Sequence, residues 1–396
     1  MSNPILVLNS GSSSIKYSLF LPDENIPIVF GLAERLGESE AQLSITQGNS
    51  SESIHIPHAD HRMALEKLAL LFGDIGIQPE KLAAIGHRVV HGGEYFSESI
   101  IVDDDAIKKM ESCNHLAPLH NPANLLGIST MKLLAPNVPQ IAVFDTAFHQ
   151  TLPPKAYLYA LPYEYYENFG VRRYGFHGTS HRYVAQKAAD MIGQRLDTLS
   201  LISIHLGNGC SATAIHNGKS VDTTMGMTPL EGLAMGTRCG DLDPSIHQFL
   251  TKKLNLSINR ITEILNKSSG LLGISGISND MRSLIKASEQ GNERATLAIE
   301  VFCFKVSRLV GGLATSLTQI DALLFTGGIG ENSAHIRHRI LENLSILGFK
   351  IDTEANTAHG KQHHGLISSK GTIPTLVVPT NEEWMIAFDC IQLLKS

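Results

Sequence analysis

Hydrophobic positions along the chain fall into two recurring patterns. Short runs rich in Val, Ile and Leu predict strands at residues 5–8, 15–20, 201–204, 210–215 and 321–326. Apolar residues at helical spacing predict helices over residues 62–72, 181–192, 293–317, 333–344 and 382–394. Strands that alternate with helices are typical of an α/β protein.

Two predicted strand pairs resemble each other. The first pair encloses a polar Gly/Ser tip at residues 9–14, and the second encloses the tip HLGNG at residues 205–209. This recurrence predicts an internal duplication, with two related domains that face an active-site cleft. Pro153-Pro154 and a Tyr-rich segment indicate the boundary. We therefore expect domains 1–150 and 151–383, and a C-terminal helix at about 384–396 that packs back on the first domain.

Composition limits the classes of partner. The 396 residues are 43% hydrophobic and carry a net charge of −6, which gives no general attraction to nucleic acid or to an anionic membrane. An anion site must therefore be built locally. Neither a secretory leader nor a membrane-spanning apolar run is evident, and the five cysteines are scattered without a C-x-x-C pair. We expect a cytoplasmic protein with no nucleic-acid or membrane partner.

Three glycine-containing turns are candidates for phosphate binding. They lie at residues 9–14, 205–209 and 327–332, each at the end of a predicted strand, where exposed N–H groups and small side chains can surround phosphate oxygens. An ordinary Ser-rich hairpin tip explains the first turn equally well. Residues 207–212 match the dinucleotide pattern G-x-G-x-x-A, but a strand rather than a helix is predicted to follow. Three such turns together favour a nucleotide.

Several charged residues each allow two interpretations. Histidines four apart at 87 and 91, and at 177 and 181, favour structural or anion-contacting roles over zinc binding, because β-branched residues or Gly-Thr-Ser separate them. Arg238 lies in a Gly-rich loop, where it could bind phosphate bidentately or pair with Asp241 or Asp243. Asp145 follows an apolar strand, where a catalytic carboxylate and a turn cap are both compatible.

Taken in order, the motifs resemble the acetate kinase family nearly end to end. The motifs that carry this resemblance are residues 9–16 (NSGSSSIK), 86–93 (GHRVVHGG), 144–149 (FDTAFH), 173–181 (RYGFHGTSH), 205–209 (HLGNG), 229–232 (PLEG), 236–244 (GTRCGDLDP), 326–332 (TGGIGEN) and 380–383 (TNEE). The family lies within the superfamily of sugar kinases, actin and Hsp70-type ATPases. The resemblance implies two related domains of the ribonuclease H-like, actin-like ATPase type.

The resemblance also implies roles for individual residues. Asp145, His177 and Arg238 would be catalytic: His177 and Arg238 would stabilise the transferring phosphoryl group, and Asp145 would orient substrate or arginine. The acid would be bound by Arg88, Val90, Leu119, Phe176 and Pro229. ATP would be bound by Lys16, His205, Leu206, Gly207, Asn208, Gly209, Asp280, Met281, Arg282, Gly328, Ile329, Gly330, Glu331 and Asn332. Asn9 and Glu382 would hold Mg²⁺, or Mn²⁺ in its place.

The implied activity is reversible, direct in-line transfer of the γ-phosphoryl group of ATP to acetate, giving acetyl phosphate and ADP. A homodimer that associates through the C-terminal domain is also implied. Propionate kinase is the nearest alternative, because one methylene in an apolar pocket is worth only about 1–3 kcal/mol of discrimination. A nucleotide-binding protein of the actin and Hsp70 kind would lack the acid site, and a sugar kinase would have a polar pocket. Cys239 stands where serine is expected, which suggests thiol-sensitive activity.

Overall fold

In the computed structural model, which describes residues 3–395, the chain divides into two units. The first unit runs through Gln150 and includes the residues from Asn381 onward, and the second comprises Thr151–Thr380. Each unit contains one β-sheet.

The sheet of the first unit has eight strands in the order β5-β4-β3-β2-β1-β6-β8-β7. Their bounds are β1 Ile5–Ser10, β2 Ser14–Phe20, β3 Val29–Glu34, β4 Gln42–Gln47, β5 Ser50–His55, β6 Ala84–Val89, β7 Ile100–Ile101 and β8 Gln140–Phe144. Strands β1 to β5 form an antiparallel meander. Strand β1 also pairs in parallel with β6, which pairs in parallel with β8.

The sheet of the second unit has five strands in the order β11-β10-β9-β12-β13. Their bounds are β9 Ser200–Leu206, β10 Cys210–His216, β11 Lys219–Thr223, β12 Ala322–Thr326 and β13 Thr375–Val377. The first three are antiparallel neighbours, and β9, β12 and β13 pair in parallel. The same order and directions occur in the first unit as β3-β2-β1-β6-β8. This shared topology supports the predicted relationship between the two domains.

Helices cover most of the remaining chain. Those of at least one α-helical turn are α1 His61–Asp74, α2 Asp104–Ser112, α3 Asn121–Leu134, α4 Pro154–Tyr157, α5 Glu164–Phe169, α6 Gly178–Ile192, α7 Ser245–Leu254, α8 Ile258–Lys267, α9 Gly270–Ser275, α10 Met281–Glu289, α11 Glu293–Ala314, α12 Gly327–Asn332, α13 Ala334–Asn343, α14 Thr353–Thr357 and α15 Glu382–Lys395. Short 3-10 turns occur at Pro79–Lys81, Ala147–Thr151, Leu196–Thr198, Ser345–Leu347 and Lys361–His363. Among residues 3–395, no helix is both long enough and apolar enough to cross a membrane.

Strand β1 illustrates how alternation along the sequence places the core on both faces of a sheet. Leu6 and Leu8 lie in a cluster with residues of α1 on one face, whereas Ile5 and Val7 pack with residues of α15 on the other. Helix α15 approaches the sheet closely at Gly86, where an added Cβ would lie 2.6 Å from the Ile386 side chain. The C-terminal helix is therefore part of the core of the first unit.

The predicted helices and hairpins are confirmed, with two corrections. The helix predicted over 293–317 ends at Ala314, because the Gly311-Gly312 pair and Thr315 lead into a turn rather than another helical turn. Residues 327–332, predicted as a Gly turn at the end of a strand, form the short helix α12. Gly327 has a φ of +75°, and an added Cβ there would lie 2.7 Å from the Leu206 carbonyl oxygen. Glycine thus allows the helix to begin directly against β9.

Candidate active site

The tip between β1 and β2 is held by contacts from its own backbone and from α1. The Gly11 N–H donates to the Ser14 carbonyl at 2.7 Å. The Gly11 carbonyl accepts from His61 Nε2 at 2.6 Å. Asn9 lies opposite Lys16 in the hairpin, and the Lys16 amino group forms an ion pair with Glu383. The tip thus places an amide side chain and a paired lysine at one end of the sheet.

Arg88 and Asp145 form a bidentate ion pair at the ends of neighbouring parallel strands. Arg88 lies in β6 and Asp145 directly follows β8. The guanidinium donates from Nε to Oδ1 at 2.9 Å and from Nη2 to Oδ2 at 2.6 Å. Burial alone would lower the pKa of Arg88, but the attraction and hydrogen bonds of Asp145, together with the attraction of Glu382 and Glu383, outweigh this effect and raise the pKa. Asp145 therefore fixes the orientation of a charged guanidinium.

Glu382, the first residue of α15, is a partly buried carboxylate. Burial raises its pKa to about 7, with Asp145 and Glu383 adding to the increase and Arg88 and Lys16 opposing it. A carboxylate in this environment is stabilised in its charged form by a bound cation. Within residues 3–395, no group of three or more His, Cys, Asp or Glu side chains forms a metal cluster. One carboxylate with an amide oxygen fits Mg²⁺, which takes its other ligands from water and phosphate.

Val90 is joined to the β1–β2 tip through Asn124 of α3. The Val90 N–H donates to Asn124 Oδ1 at 3.1 Å, and Asn124 Nδ2 donates to the Ser10 carbonyl at 2.7 Å. Val90 is 8% exposed, whereas Leu119 is 56% exposed. Asn124 was not identified from the sequence. Asn121 and Asn124, one helical turn apart at the start of a helix, are the signal that could have revealed it.

In the second unit, His177 and Arg238 approach the same glycine. His177 directly precedes α6 with a φ of +56°, its Nδ1 lies 2.9 Å from Ser211 Oγ, and its ring stacks on His205 with 4.4 Å between centroids. An added Cβ on Gly209 would lie 3.4 Å from His177 Nε2 and 3.6 Å from Arg238 Nη1. The imidazole and the guanidinium therefore adjoin one small space beside the β9–β10 tip.

The Arg238 loop is fixed by hydrogen bonds to its own neighbours. Arg238 Nη1 donates to the Pro229 carbonyl at 2.9 Å. Asp241 Oδ1 accepts from the Gly232 N–H at 2.8 Å, and Asp243 Oδ1 accepts from the Ser245 N–H at 2.8 Å. Both aspartates thus have backbone partners in this loop. Phe176, the residue directly before His177, is buried.

A cavity of about 950 Å³ lies in the same unit. Eight of the predicted ATP-binding residues line it, namely Gly207, Asn208, Asp280, Met281, Arg282, Gly328, Ile329 and Asn332. Five further residues line it that were not identified from the sequence, namely Asn279, Ile285, Lys286, Glu289 and Ser333. Most of these extend α10 by helical turns beyond the predicted Asp280–Arg282 segment, so helical periodicity could have revealed them.

The remaining predicted ATP-binding residues lie outside the cavity lining. Lys16 belongs to the first unit. Leu206 and Gly330 are buried, and His205 Nδ1 lies 2.9 Å from Ser180 Oγ. Glu331 Oε1 accepts from the N–H groups of Gly327 and Thr380, both at 3.0 Å. In the structure, Glu331 therefore links the start of α12 to Thr380, the last residue of the second unit.

Polar side chains at the rim of the cavity are held by local bonds. Asn208 Oδ1 accepts from Asn279 Nδ2 at 3.0 Å. Asp280 caps α10 by accepting from the N–H groups of Arg282 and Ser283, and its ion pair with Arg282 lowers the pKa of the carboxyl to about 2. Met281, Ile285 and Ile329 supply apolar surface. The combination of apolar walls with a few fixed polar groups suits a nucleoside.

Comparison with known proteins decides the family. The family model described as the acetokinase family matches residues 4–388. The chain belongs to the acetokinase family. It is similar to an acetate kinase of Ectopseudomonas mendocina, with 53% identity over 390 residues that cover 98% of each chain.

Solved structures agree with this acetokinase assignment. A propionate kinase from Francisella tularensis aligns with a TM-score of 0.93 and 44% identity, covering 98% of both chains. An acetate kinase from Porphyromonas gingivalis aligns with a TM-score of 0.92 and 42% identity, covering 99% of this chain and all of the other. The acetokinase is a phosphotransferase with a carboxyl group as acceptor and with ATP or ADP as co-substrate. The fold is the two-domain, actin-like ATPase type.

Cys239 of this acetokinase lies in an environment that disfavours its thiolate. Burial raises the pKa of the thiol to about 11, and Sγ donates to the Gly240 carbonyl at 3.1 Å. Because the thiolate is the reactive form of cysteine, this raised pKa disfavours a reactive thiol at Cys239. The structure therefore weighs against the hypothesis of thiol-sensitive activity.

Proposed function

We propose that the protein is an acetate kinase that transfers the γ-phosphoryl group of ATP directly to acetate, and in reverse from acetyl phosphate to ADP. One observation carries the proposal. The β9–β10 tip lines a nucleotide-sized cavity with Gly207 and Asn208, and its next residue, Gly209, adjoins His177 and Arg238. A nucleotide in that cavity would extend its terminal phosphate toward two cationic or hydrogen-bonding groups.

The catalytic demand is electrostatic. A phosphoryl group in transfer spreads negative charge over its equatorial oxygens, so preorganised donors such as Arg238 and His177 lower the barrier. The acid is already ionised and is itself the nucleophile. A general base is unnecessary, which leaves Asp145 the role of holding Arg88, in keeping with their bidentate pair.

We assign acid binding to Arg88 and to an apolar pocket. Arg88 is fixed by Asp145, so its remaining N–H donors are preorganised for a carboxylate. Val90, Leu119, Phe176 and Pro229 would contact the acyl methyl. Val90 and Phe176 are buried and the Pro229 carbonyl accepts a hydrogen bond from Arg238, whereas Leu119 is exposed.

We assign Mg²⁺ to Asn9 and Glu382, with Mn²⁺ as a substitute. The ion would neutralise charge on the ATP phosphates. The two residues lie in one unit, and Lys16, opposite Asn9, pairs with the residue that follows Glu382. We further propose that the first unit supplies Arg88 for the acid, that the second binds the nucleotide and forms a homodimer, and that the enzyme is cytoplasmic.

The proposal is tested by steady-state kinetics with a panel of short carboxylic acids, with Mg²⁺ and ATP in one direction, and acyl phosphates with ADP in the other. Acetate is expected to give the highest kcat/KM, and the reverse reaction to regenerate ATP. Equal activity with a sugar or polyol, or activity independent of any acid, would contradict the proposal.

Propionate kinase is a second candidate, favoured by the similarity to the propionate kinase of Francisella tularensis. The discriminating residue is Val90, whose replacement by alanine would enlarge the pocket. We expect Val90→Ala to raise kcat/KM for propionate relative to acetate by about tenfold, the value of roughly one methylene. If the ratio of kcat/KM for propionate to that for acetate did not change, Val90 would not contact the acyl group.

A further inference from the structure

Pro229 lies at the centre of a five-residue segment, residues 227–231, whose ends are joined by one hydroxyl group. The Met227 N–H donates to Tyr159 Oη at 2.9 Å, and the Tyr159 hydroxyl donates to Glu231 Oε2. Tyr159 therefore closes the segment into a ring, which we call the 227–231 loop. Loss of the Tyr159 hydroxyl would break both hydrogen bonds at once, so that the two flanks of Pro229 would no longer be joined.

Arg173 holds the other oxygen of the same carboxylate. Its Nη2 donates to Glu231 Oε1 at 2.6 Å, and its Nη1 donates to the carbonyls of Thr223, Thr224 and Met225 at 2.9–3.2 Å. The Arg173 and Glu231 side chains are 18% and 31% exposed, so the pair is partly shielded from water. Charge-assisted bonds of this kind are stronger than neutral ones. Glu231 thus anchors the loop to the end of β11.

Gly226 shows how closely this network is packed. An added Cβ would lie 1.6 Å from Glu231 Oε2 and 2.2 Å from Tyr159 Oη. The Gly226 carbonyl accepts from the Tyr174 N–H at 3.0 Å, two residues before Phe176. The same network thus connects Pro229 with the chain near Phe176, the two residues of the second unit that we assign to the acyl group.

We infer that Tyr159 and Glu231 are positioning residues that determine acyl-chain specificity by fixing Pro229 through the closed 227–231 loop. The inference rests on the proposed function. A fixed loop keeps the pocket small and makes an additional methylene costly, whereas an open loop allows Pro229 to move away from a longer acid. Loss of closure should therefore change which acid is used more than it changes ATP binding.

The test compares Tyr159→Phe with Tyr157→Phe, measuring kcat and KM for acetate, propionate and ATP. Tyr159→Phe keeps the aromatic ring of the side chain and removes the hydroxyl that closes the 227–231 loop. Tyr157 is a matched control in the same segment, because its hydroxyl lies 3.4 Å from that of Tyr166 and not in the loop. We expect Tyr159→Phe to lower the acetate-to-propionate ratio of kcat/KM by about fivefold or more, mainly through a higher KM for acetate, with the KM for ATP within about twofold.

Glu231→Gln is a second test variant, because glutamine keeps the size of the side chain but removes the negative charge that pairs with Arg173. We expect the ratio to shift in the same direction, and Tyr157→Phe to leave it unchanged. An unchanged ratio in Tyr159→Phe and Glu231→Gln, or an equal loss for both acids accompanied by a lower melting temperature, would overturn the inference. Failure of the wild-type enzyme to phosphorylate any short acid would instead overturn the proposed function.

Discussion

At the scale of single residues, two carboxylates near one guanidinium are placed for different tasks. Asp145 is buried and receives two N–H donors from Arg88, which makes it a positioning group. The pKa of Glu382 is set mainly by burial, which raises it to about 7. The sequence predicted Asp145 at the end of its strand, with substrate or an arginine as its partner, but not which arginine. Arg88 and Asp145 are 57 residues apart, and only the order of β6 and β8 in the sheet brings them together.

We expect Asp145→Asn to lower kcat/KM for acetate by about 10²-fold, because Arg88 would lose one charged partner and its fixed orientation. The KM for ATP should change little, since the nucleotide cavity lies in the other unit. Steady-state kinetics with each substrate varied would measure both. Asp105→Asn, which breaks an exposed pair with Lys109, is the control and should behave as wild type. If Asp145→Asn left kcat and KM for acetate unchanged, Asp145 would not be needed to position the acid.

Glu382 predicts a pH dependence of stability in the metal-free protein. The pKa of its carboxyl is raised in the folded state from 4.5 to about 7, so the folded state binds more protons than the unfolded state between these values. Its contribution to the free energy of unfolding therefore falls as pH rises from about 4.5 to about 7, by about 1–3 kcal/mol, and is constant above.

Thermal unfolding in the presence of a chelator tests this dependence. The melting temperature of Glu382→Gln minus that of wild type should increase between pH 5 and pH 7.5, because glutamine does not ionise. The difference between variants cancels the titration of other groups. A difference that stays flat or decreases over this range would show that Glu382 ionises normally in the folded protein.

At the scale of elements, tips and helix starts are fixed by contacts that sequence periodicity does not reveal. The predicted hairpins were correct because β-branched runs and polar tips are local signals. The Gly turn predicted at 327–332 was wrong, because these residues form the short helix α12, which begins at Gly327 in close contact with Leu206, a residue 121 positions earlier in the chain. Similarly, Asn124 connects β1 with the residue after β6, a contact that depends on the placement of α3.

Gly236 provides a test of the β9–β10 tip as part of the nucleotide site. An added Cβ would lie 2.0 Å from Asn208 Oδ1, so alanine would displace the Asn208 side chain from Asn279 and from the rim of the cavity. We expect Gly236→Ala to raise the KM for ATP by about tenfold, the loss of a well-placed hydrogen-bonding group, with a smaller effect on the KM for acetate.

Gly312→Ala is the matched control in the same unit. An added Cβ at this helical position meets no atom within 4 Å, and alanine is favoured over glycine inside a helix. This variant should keep the wild-type KM for ATP. If Gly236→Ala also kept the wild-type KM for ATP although its Asn208 side chain was displaced, Asn208 would not contact the nucleotide.

At the scale of the whole molecule, two units share one topology. Each contains an antiparallel three-strand element followed by two parallel strands, and in each we assign functional groups to the tip of one hairpin. Repetition of strand and tip made the duplication predictable from sequence. The order of the parallel strands was not, because it depends on crossovers through helices whose packing partners lie far away in the chain.

We propose that the carboxylate of a short acid is the direct acceptor of the phosphoryl group. ATP consumption can be measured with and without acetate in the presence of hydroxylamine, which converts acetyl phosphate to acetohydroxamate and inorganic phosphate. We expect acetate to stimulate ATP consumption strongly, with one acetohydroxamate formed for each ADP. ATP consumption that is no faster with acetate, or that yields ADP without acetohydroxamate, would contradict direct transfer to the acid.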